Sequence, residues 1–141
     1  MNIRKPTDYV TMFTTLDTLM AAQLPQMEVY CEIGRLVSGR SEKGAAVAAS
    51  EYLQAAYPTA DGFTPRNVRR MRAMYAAYEE FPEIIRLAMH LGWTQNVAIL
   101  EGCGSSEERA WYIRAVLHFG WKKAKLLAAI ESQVWLHSSL D

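Results

Sequence analysis

The sequence has no excess charge of either sign, since 15 lysines and arginines balance 15 aspartates and glutamates. A chain without a net basic field does not attract nucleic acid as a whole, so any electrostatic binding must come from a local cluster. Long apolar runs are also absent, because no segment approaches the roughly 18 uninterrupted apolar residues of a membrane-spanning helix. We therefore expect no membrane partner and no uniformly basic surface.

Cysteine is scarce, and Cys31 and Cys103 lie far apart in the chain. Small secreted domains usually carry several cysteines in a disulfide framework, so this usage favours a reducing compartment. The first eight residues show no apolar stretch after their charges that would make a signal peptide. We expect a cytoplasmic protein in which both cysteines are small buried apolar side chains.

Motifs of the common enzyme classes are missing as well. The sequence contains no GxSxG, P-loop or GxGxxG motif, and His90, His118 and His137 have no second ligand at metal-site spacing. No lysine has an acidic residue two positions before it, as the magnesium site of restriction-type nucleases requires. We expect no enzyme activity, no cofactor, no bound metal and no small-molecule substrate.

Helical patterns fill almost the whole chain. Half of the residues are hydrophobic, and they recur at three- and four-residue steps, as on one face of a helix. Capping, proline and glycine signals predict helices that begin near residues 8, 26, 42, 65, 82, 94, 105 and 121. No alternating apolar run is long enough for a strand. We expect an all-α protein in which residues 1–141 form a single compact helical domain.

Four helix ends carry clear signals. Thr64 followed by Pro65 is the arrangement that a helix start prefers. Ser105 begins a capping-box pattern, and Gly120 is well placed as a left-handed cap at the end of the same helix. Thr94 is in a position to cap the short helix that follows Gly92.

The main functional signal is a helix that begins with arginines. At 100° per residue, Arg66, Arg69 and Arg70 share one face, Arg72 lies at its border, and apolar residues occupy the opposite face. Arginine forks suit phosphates and guanine edges, and Asn67 is able to pair with adenine. The pattern predicts a recognition-type helix over residues 64–80, preceded by a turn and another helix.

Less specific interpretations of these features stay open. A charged helix face is often only solvated, or its arginines pair with neighbouring carboxylates. A second basic cluster, Lys122, Lys123 and Lys125, either extends a DNA-binding surface or keeps the last helix soluble. The tryptophans are expected to anchor the core and not to form a stacking platform for bases, and they are Trp93, Trp111, Trp121 and Trp135.

Several segments resemble the YhcG-type amino-terminal domain. The first two are Val29-Tyr30-Cys31-Glu32-Ile33-Gly34 and Gly62-Phe63-Thr64-Pro65-Arg66-Asn67-Val68-Arg69-Arg70-Met71-Arg72-Ala73-Met74-Tyr75. Later landmarks are similar in the same order, namely Trp93-Thr94 with Leu100, and Tyr112-Ile113 followed by Gly120-Trp121. The resemblance spans about residues 25–133.

The resemblance implies a helix-turn-helix or winged-helix-like core and a DNA-associated or assembly role. In this family the domain is usually fused to a PD-(D/E)XK nuclease domain, and Arg66 and Asn67 are the matched positions. The sequence departs from the family at Cys31, where an aromatic residue is expected. It also ends at Asp141, before a nuclease domain begins, so we expect no nuclease activity.

Two functions are therefore expected. The first is a non-catalytic module for double-stranded DNA, with contacts from Arg66, Asn67, Arg69, Arg70, Arg72, Lys122, Lys123 and Lys125. The second is a protein–protein interaction or oligomerisation module that docks a copy of itself, as in a homodimer, or a separate nuclease subunit. The zero net charge favours the second function, and the local row of arginines favours the first.

Overall fold

The computed structural model describes residues 8–138. They form α1 (Val10–Ala21), α2 (Gln26–Ser38), α3 (Ala45–Ala56), α4 (Pro65–Tyr78), α5 (Pro82–Ala88), α6 (Trp93–Gly102), α7 (Ser106–Phe119), α8 (Lys123–Glu131) and a 3-10 helix, Val134–Leu136. This part of the chain contains no β-strand. The prediction of an all-α, multi-helix protein is confirmed, and no β-wing is present between residues 8 and 138.

Side-chain hydrogen bonds fix two helix starts where the sequence predicts them. Thr64 Oγ1 accepts a hydrogen bond from the N–H of Asn67 at 3.2 Å, and Ser105 Oγ accepts one from the N–H of Glu108 at 3.1 Å. Gly120 follows α7 in the left-handed region, with φ +69°. These three predicted helix ends are therefore confirmed.

The start of α6 differs from the prediction. This helix begins at Trp93, so Gly92 and not Thr94 holds the cap position. Oε1 of Gln95 accepts a hydrogen bond from the N–H of Gly92 at 2.8 Å. The capping side chain thus comes from inside the first turn of the helix, and Thr94 is not needed for this role.

The contacts divide the chain into two compact units, and the first covers residues 1–72. In its described part, α1 packs against α2 and α3, and α2 packs against α3. Ala45, Ala46 and Ala49 of α3 face this core, where small side chains let helices approach closely. The buried apolar residues are Met12, Leu16, Met27, Tyr30, Ile33, Val37, Ala45, Ala46, Ala49, Leu53, Phe63, Val68 and Met71.

A carboxylate in α1 links this helix to the end of α3. Asp17 accepts hydrogen bonds from the hydroxyls of Tyr52 at 2.6 Å and Tyr57 at 2.7 Å. Both bonds favour the ionised carboxylate and lower the pKa of Asp17. The hydrogen bond from Tyr57 to Asp17 raises the pKa of Tyr57 to about 12. The ring of Tyr52 also stacks on Phe13, with centroids 4.3 Å apart.

The second unit covers residues 73–141 and is described to residue 138. Within it, α6 packs against α7 and α8, α5 packs against α7, and the 3-10 helix packs against α7 and α8. The amide of the buried Asn96 donates to the carbonyls of Ala88 at 3.0 Å and Gly92 at 3.1 Å. The apolar core contains Met74, Tyr78, Ala88, Leu91, Ile99, Cys103, Ala110, Tyr112, Ile113, Ala115, Val116, Leu126 and Ala129.

Two predictions about the whole chain have different outcomes. A division by contacts does not show whether either unit folds alone, so a single domain over residues 1–141 stays a prediction. Between residues 8 and 138, no helix has both the length and the apolar character needed to cross a bilayer.

Candidate nucleic-acid interface

The predicted arginine face lies at the start of α4. Arg66 and Arg69 are exposed, whereas Arg70 and Arg72 are partly buried. The exposed part of the row is therefore narrower than the sequence pattern indicates. The opposite face of α4 is buried as expected, with Val68 and Met71 in the core of the first unit and Met74 and Tyr78 in the core of the second.

The charged groups of this exposed face are the guanidiniums of Arg66 and Arg69. Neither of them forms an ion pair with any residue between 8 and 138. Residues 62–78 also contain no aspartate or glutamate. The first turn of a helix has free N–H groups and a positive dipole end, so cations there are unfavourable for the helix itself. An anion placed beside them would relieve this repulsion.

Asn67 has a structural partner within its own unit. Its side-chain amide donates a hydrogen bond to the carbonyl of Gly62 at 2.6 Å, and its backbone N–H donates to Thr64 Oγ1. These two bonds join the loop of residues 57–64 to the first turn of α4. The predicted role of Asn67 on bases is untested, but the amide already holds the loop from which α4 begins.

A tight approach between Tyr30 and Gly62 fixes the same loop from the side of α2. Gly62 has φ +92°, and a Cβ at this position would collide with the hydroxyl of Tyr30. The ring of Tyr30 also packs edge-on against Phe63, with centroids 6.2 Å apart. Ser50 in α3 donates its hydroxyl to the carbonyl of Phe63 at 2.6 Å. Contacts from α2 and α3 therefore hold the loop that presents Arg66 and Arg69.

The second basic cluster lies at the start of α8. Lys122, Lys123 and Lys125 are all exposed, as are Arg114 and His118 in α7. Residues 109–130 include five lysines and arginines but no aspartate or glutamate. The structure therefore shows a locally basic stretch in the second unit, although the chain as a whole is neutral.

The connections before α4 and α8 differ in length. Residues 57–64 separate α3 from α4, which is longer than the roughly 3–4-residue turn of a helix-turn-helix motif. Residues 120–122 separate α7 from α8, and this turn contains the left-handed Gly120. Nε2 of Gln95 donates to the carbonyl of Trp121 at 2.7 Å and fixes the turn on α6. Turn length thus matches such a motif at α7–α8 and not at α4.

Aromatic side chains line an open cleft beside this turn. Phe119 and Trp121 stack with centroids 5.2 Å apart and planes inclined by 17°, and Trp111 lies 6.5 Å from Trp121. With Lys125, they border a cleft of about 270 Å³. All four tryptophans of the chain are only partly buried, so their predicted place in the core is wrong.

Comparison with protein families identifies the chain. A family model described as the DUF1016 N-terminal domain matches residues 14–137. The chain belongs to the DUF1016 N-terminal domain family. This match confirms the YhcG-type resemblance. Comparisons with curated proteins and with solved structures gave no match.

Two segments that carry the resemblance meet in this DUF1016 N-terminal domain. The segment 29–34 supplies Tyr30 from α2, and the segment 62–75 supplies Gly62 and Phe63 from the loop before α4. The Tyr30 hydroxyl lies against Gly62, and its ring contacts Phe63. The segments that carry the resemblance therefore include residues that position the start of the arginine helix.

The buried polar groups of the DUF1016 N-terminal domain do not form an activated nucleophile. Burial is the main cause that raises the pKa of Cys103 to about 12, so this thiol is protonated at neutral pH. Burial raises the pKa of Tyr78 to about 12 as well. Among residues 8–138, no three histidine, cysteine or acidic side chains come together as metal ligands. The absence of enzyme activity stays a prediction.

The predicted site residues of the DUF1016 N-terminal domain fall into two groups. The arginines of α4 and Asn67 belong to the first unit, and Lys122, Lys123 and Lys125 belong to the second. Each group is a local surface with its own geometry.

The two cysteines were expected to be small buried side chains. Cys31 is partly buried and Cys103 is buried, both as free thiols.

Proposed function

We propose that this DUF1016 N-terminal domain is a non-catalytic DNA-binding module in which Arg66 and Arg69 contact phosphates of double-stranded DNA. The observation that carries the proposal is the exposure of these two guanidinium groups without an ion-pair partner among residues 8–138. Bidentate hydrogen bonds from a guanidinium suit phosphate oxygens, and phosphate contacts supply most of the affinity of DNA-binding proteins.

The surroundings of the two arginines support a preformed site. Hydrogen bonds of Asn67 to Thr64 and Gly62 hold the first turn of α4, and the Tyr30 hydroxyl contacts Gly62 in the preceding loop. A helix start that is already ordered loses little conformational freedom when it binds an anion. Arg70 and Arg72 stand at the edge of this site, since both are partly buried.

The lysines of α8 belong to the proposal as a second DNA contact. A turn of helix-turn-helix length precedes α8, and the exposed Lys122, Lys123 and Lys125 stand at the start of that helix. In such motifs the residues at the start of the second helix approach the DNA.

The same proposal includes a cytoplasmic location, which two free thiols favour.

The proposal is tested by fluorescence anisotropy with labelled duplex DNA at low salt. We expect the Arg66→Ala/Arg69→Ala variant to bind at least about tenfold more weakly, as for the loss of two charge-assisted contacts. The Arg66→Lys/Arg69→Lys variant keeps the charge and should retain most of the affinity. Arg35→Ala/Lys43→Ala removes the same charge from other exposed positions of the first unit and should bind like wild type. Equal loss in both alanine variants would contradict a specific site.

The alternative function is an interaction module that docks a copy of itself or a separate nuclease subunit. Exposed apolar side chains in the second unit favour it, namely Leu117, Leu127 and Leu136. Sedimentation equilibrium over a range of concentrations tests self-association directly. A stable dimer that Leu117→Ser/Leu127→Ser converts to a monomer would support this alternative, and a monomer at all concentrations would argue against self-association.

A further inference from the structure

We infer that the aromatic cleft of Trp111, Phe119, Trp121 and Lys125 binds an unpaired DNA base by stacking. The inference rests on the proposed function, because it specifies a form of DNA that the module recognises. It concerns the second unit alone, and the arginine helix does not contribute to it. The occupant is a base of single-stranded DNA together with its own phosphate.

The geometry of the rings provides the stacking surface. Phe119 is 51% exposed although it stacks on Trp121. The indole covers one face of the Phe119 ring, and the ring of His118 packs against Phe119 in a T-shaped arrangement with centroids 4.7 Å apart. Much of the Phe119 side chain nevertheless stays in contact with solvent. A ligand that covers this exposed ring would gain free energy from the apolar area that it buries. Bases stack on protein rings of this kind without a need for sequence-specific hydrogen bonds.

The position of Trp121 is fixed before any ligand binds. Its carbonyl accepts the hydrogen bond from Gln95, and Gly120 sets the direction of the chain before it. Trp111 comes from the middle of α7, and its ring lies tilted beside the indole of Trp121 with centroids 6.5 Å apart. A rigid aromatic surface loses little entropy on binding, which favours a planar ligand.

The charges beside the cleft select a nucleotide over an apolar peptide. Lys125 borders the cleft, and none of the described residues that line it is acidic, although Glu131 follows in the same helix. The other polar groups at its border are the hydroxyls of Ser132 and Ser138. An apolar side chain needs no cation beside it, whereas a stacked base places its phosphate within reach of a lysine. In duplex DNA the base faces cover one another, so only an unpaired base presents a free face.

The experiment compares short oligo(dT) with an abasic oligonucleotide of the same length and charge. Affinity is measured by anisotropy, and tryptophan fluorescence reports ring stacking. We expect wild type to bind oligo(dT) at least about fivefold more tightly than the abasic strand. This ratio is the lower end of the affinity gained by stacking one base on an aromatic ring. Oligo(dT) should quench the tryptophans, and the abasic strand should not.

Variants of Phe119 separate stacking from simple apolar contact. Phe119→Tyr should keep the preference for oligo(dT), whereas Phe119→Leu and Phe119→Ala should lose it. Leu127→Ala is the matched control, since Leu127 is 44% exposed on α8 but does not border the cleft. Circular dichroism checks that each variant is folded. If Phe119→Leu binds like wild type, the contact is only apolar and stacking is excluded.

The lysine is tested in the same way. Lys125→Ala should weaken oligo(dT) binding more than Arg86→Ala, because Arg86 is also exposed in the second unit but lies outside the cleft and outside the proposed DNA contacts. Equal affinity for oligo(dT) and the abasic strand would overturn the base site, even if duplex DNA binds through Arg66 and Arg69. Conversely, the Arg66→Ala/Arg69→Ala variant could lose duplex binding but still prefer oligo(dT) to the abasic strand. This result would support two separate sites. If wild type binds neither duplex nor oligo(dT), both proposals are wrong.

Discussion

Asn67 donates its side-chain amide to the carbonyl oxygen of Gly62, at a distance of 2.6 Å. The bond ties the first turn of the arginine helix to the loop before it, and it occupies the group that the sequence assigns to adenine. In the structure Asn67 is therefore part of the framework that presents Arg66 and Arg69.

Replacement of Asn67 by alanine should lower stability without changing base preference. We expect Asn67→Ala to reduce the free energy of unfolding by about 1–2 kcal/mol, because the buried end of the bond loses its donor. Urea unfolding measures this loss, and Gln54→Ala on the exposed face of α3 serves as the control. A change in the ratio of A·T-rich to G·C-rich duplex binding, with stability intact, would instead place Asn67 on the bases.

Gly62 should tolerate no side chain. Its φ of +92° strains any L-residue, and a Cβ would collide with the Tyr30 hydroxyl. We expect Gly62→Ala to cost about 2 kcal/mol or more, measured by urea unfolding. Gly104→Ala should be nearly neutral, because a Cβ there meets no atom within 4 Å. Adding Tyr30→Phe to Gly62→Ala should recover part of the loss, and no recovery would show that the collision is unimportant.

The bonds to Asp17 should hold between mildly acidic and mildly alkaline pH. The carboxyl pKa lies below its ordinary 3.8, so its contribution to stability is present above that pH and is lost as pH falls through the lowered value. The pKa of Tyr57 is raised from 10.0 to about 12, so its contribution is present below pH 10 and is lost as pH rises towards 12.

Tyrosinate absorbance tests the alkaline side of this prediction. Wild type should show two tyrosines that titrate near 12, Tyr57 and Tyr78, and Tyr57→Phe should leave only one of them. In Asp17→Asn, Tyr57 should titrate closer to 10.0, because its hydrogen bond to a carboxylate is lost. An unchanged titration in Asp17→Asn would mean that the carboxylate does not hold Tyr57.

Cys103 should be unreactive in the folded protein. It is 5% exposed, and its pKa of about 12 leaves almost no thiolate at neutral pH. In a Cys31→Ser variant, an aromatic disulfide reagent should modify Cys103 only at the rate of unfolding or opening. Rapid modification at neutral pH would contradict the buried, protonated thiol and would reopen the question of a nucleophile.

Periodicity and capping chemistry were enough to predict the helical class. The apolar face of α4 is recognisable because Val68 and Met71 repeat at helical spacing, and Thr64 with Pro65 is a strong local start signal. The start of α6 was predicted wrongly, since its cap uses the backbone of Gly92 and the side chain of Gln95. A glycine cap carries no side-chain signal, so Thr94 was the more visible candidate.

Other parts of the candidate site could not be predicted from the sequence. The partner of Asn67 is a backbone carbonyl, which every residue has, so no pattern marks it. The aromatic cleft combines α7, the turn after it and α8, and helical spacing within one element does not show that these side chains meet. The partial burial of Arg70 depends on neighbouring elements in the same way.

The salt dependence of duplex DNA binding tests the central claim most directly. For wild type, the logarithm of the binding constant should fall linearly with the logarithm of salt concentration. The slope should be shallower in Arg66→Ala/Arg69→Ala by up to about 1.8, or about 0.9 for each lost phosphate contact. The slope of Arg35→Ala/Lys43→Ala should equal that of wild type. Identical slopes for all three proteins, or no binding by wild type at low salt, would contradict the assignment of Arg66 and Arg69 to the DNA backbone.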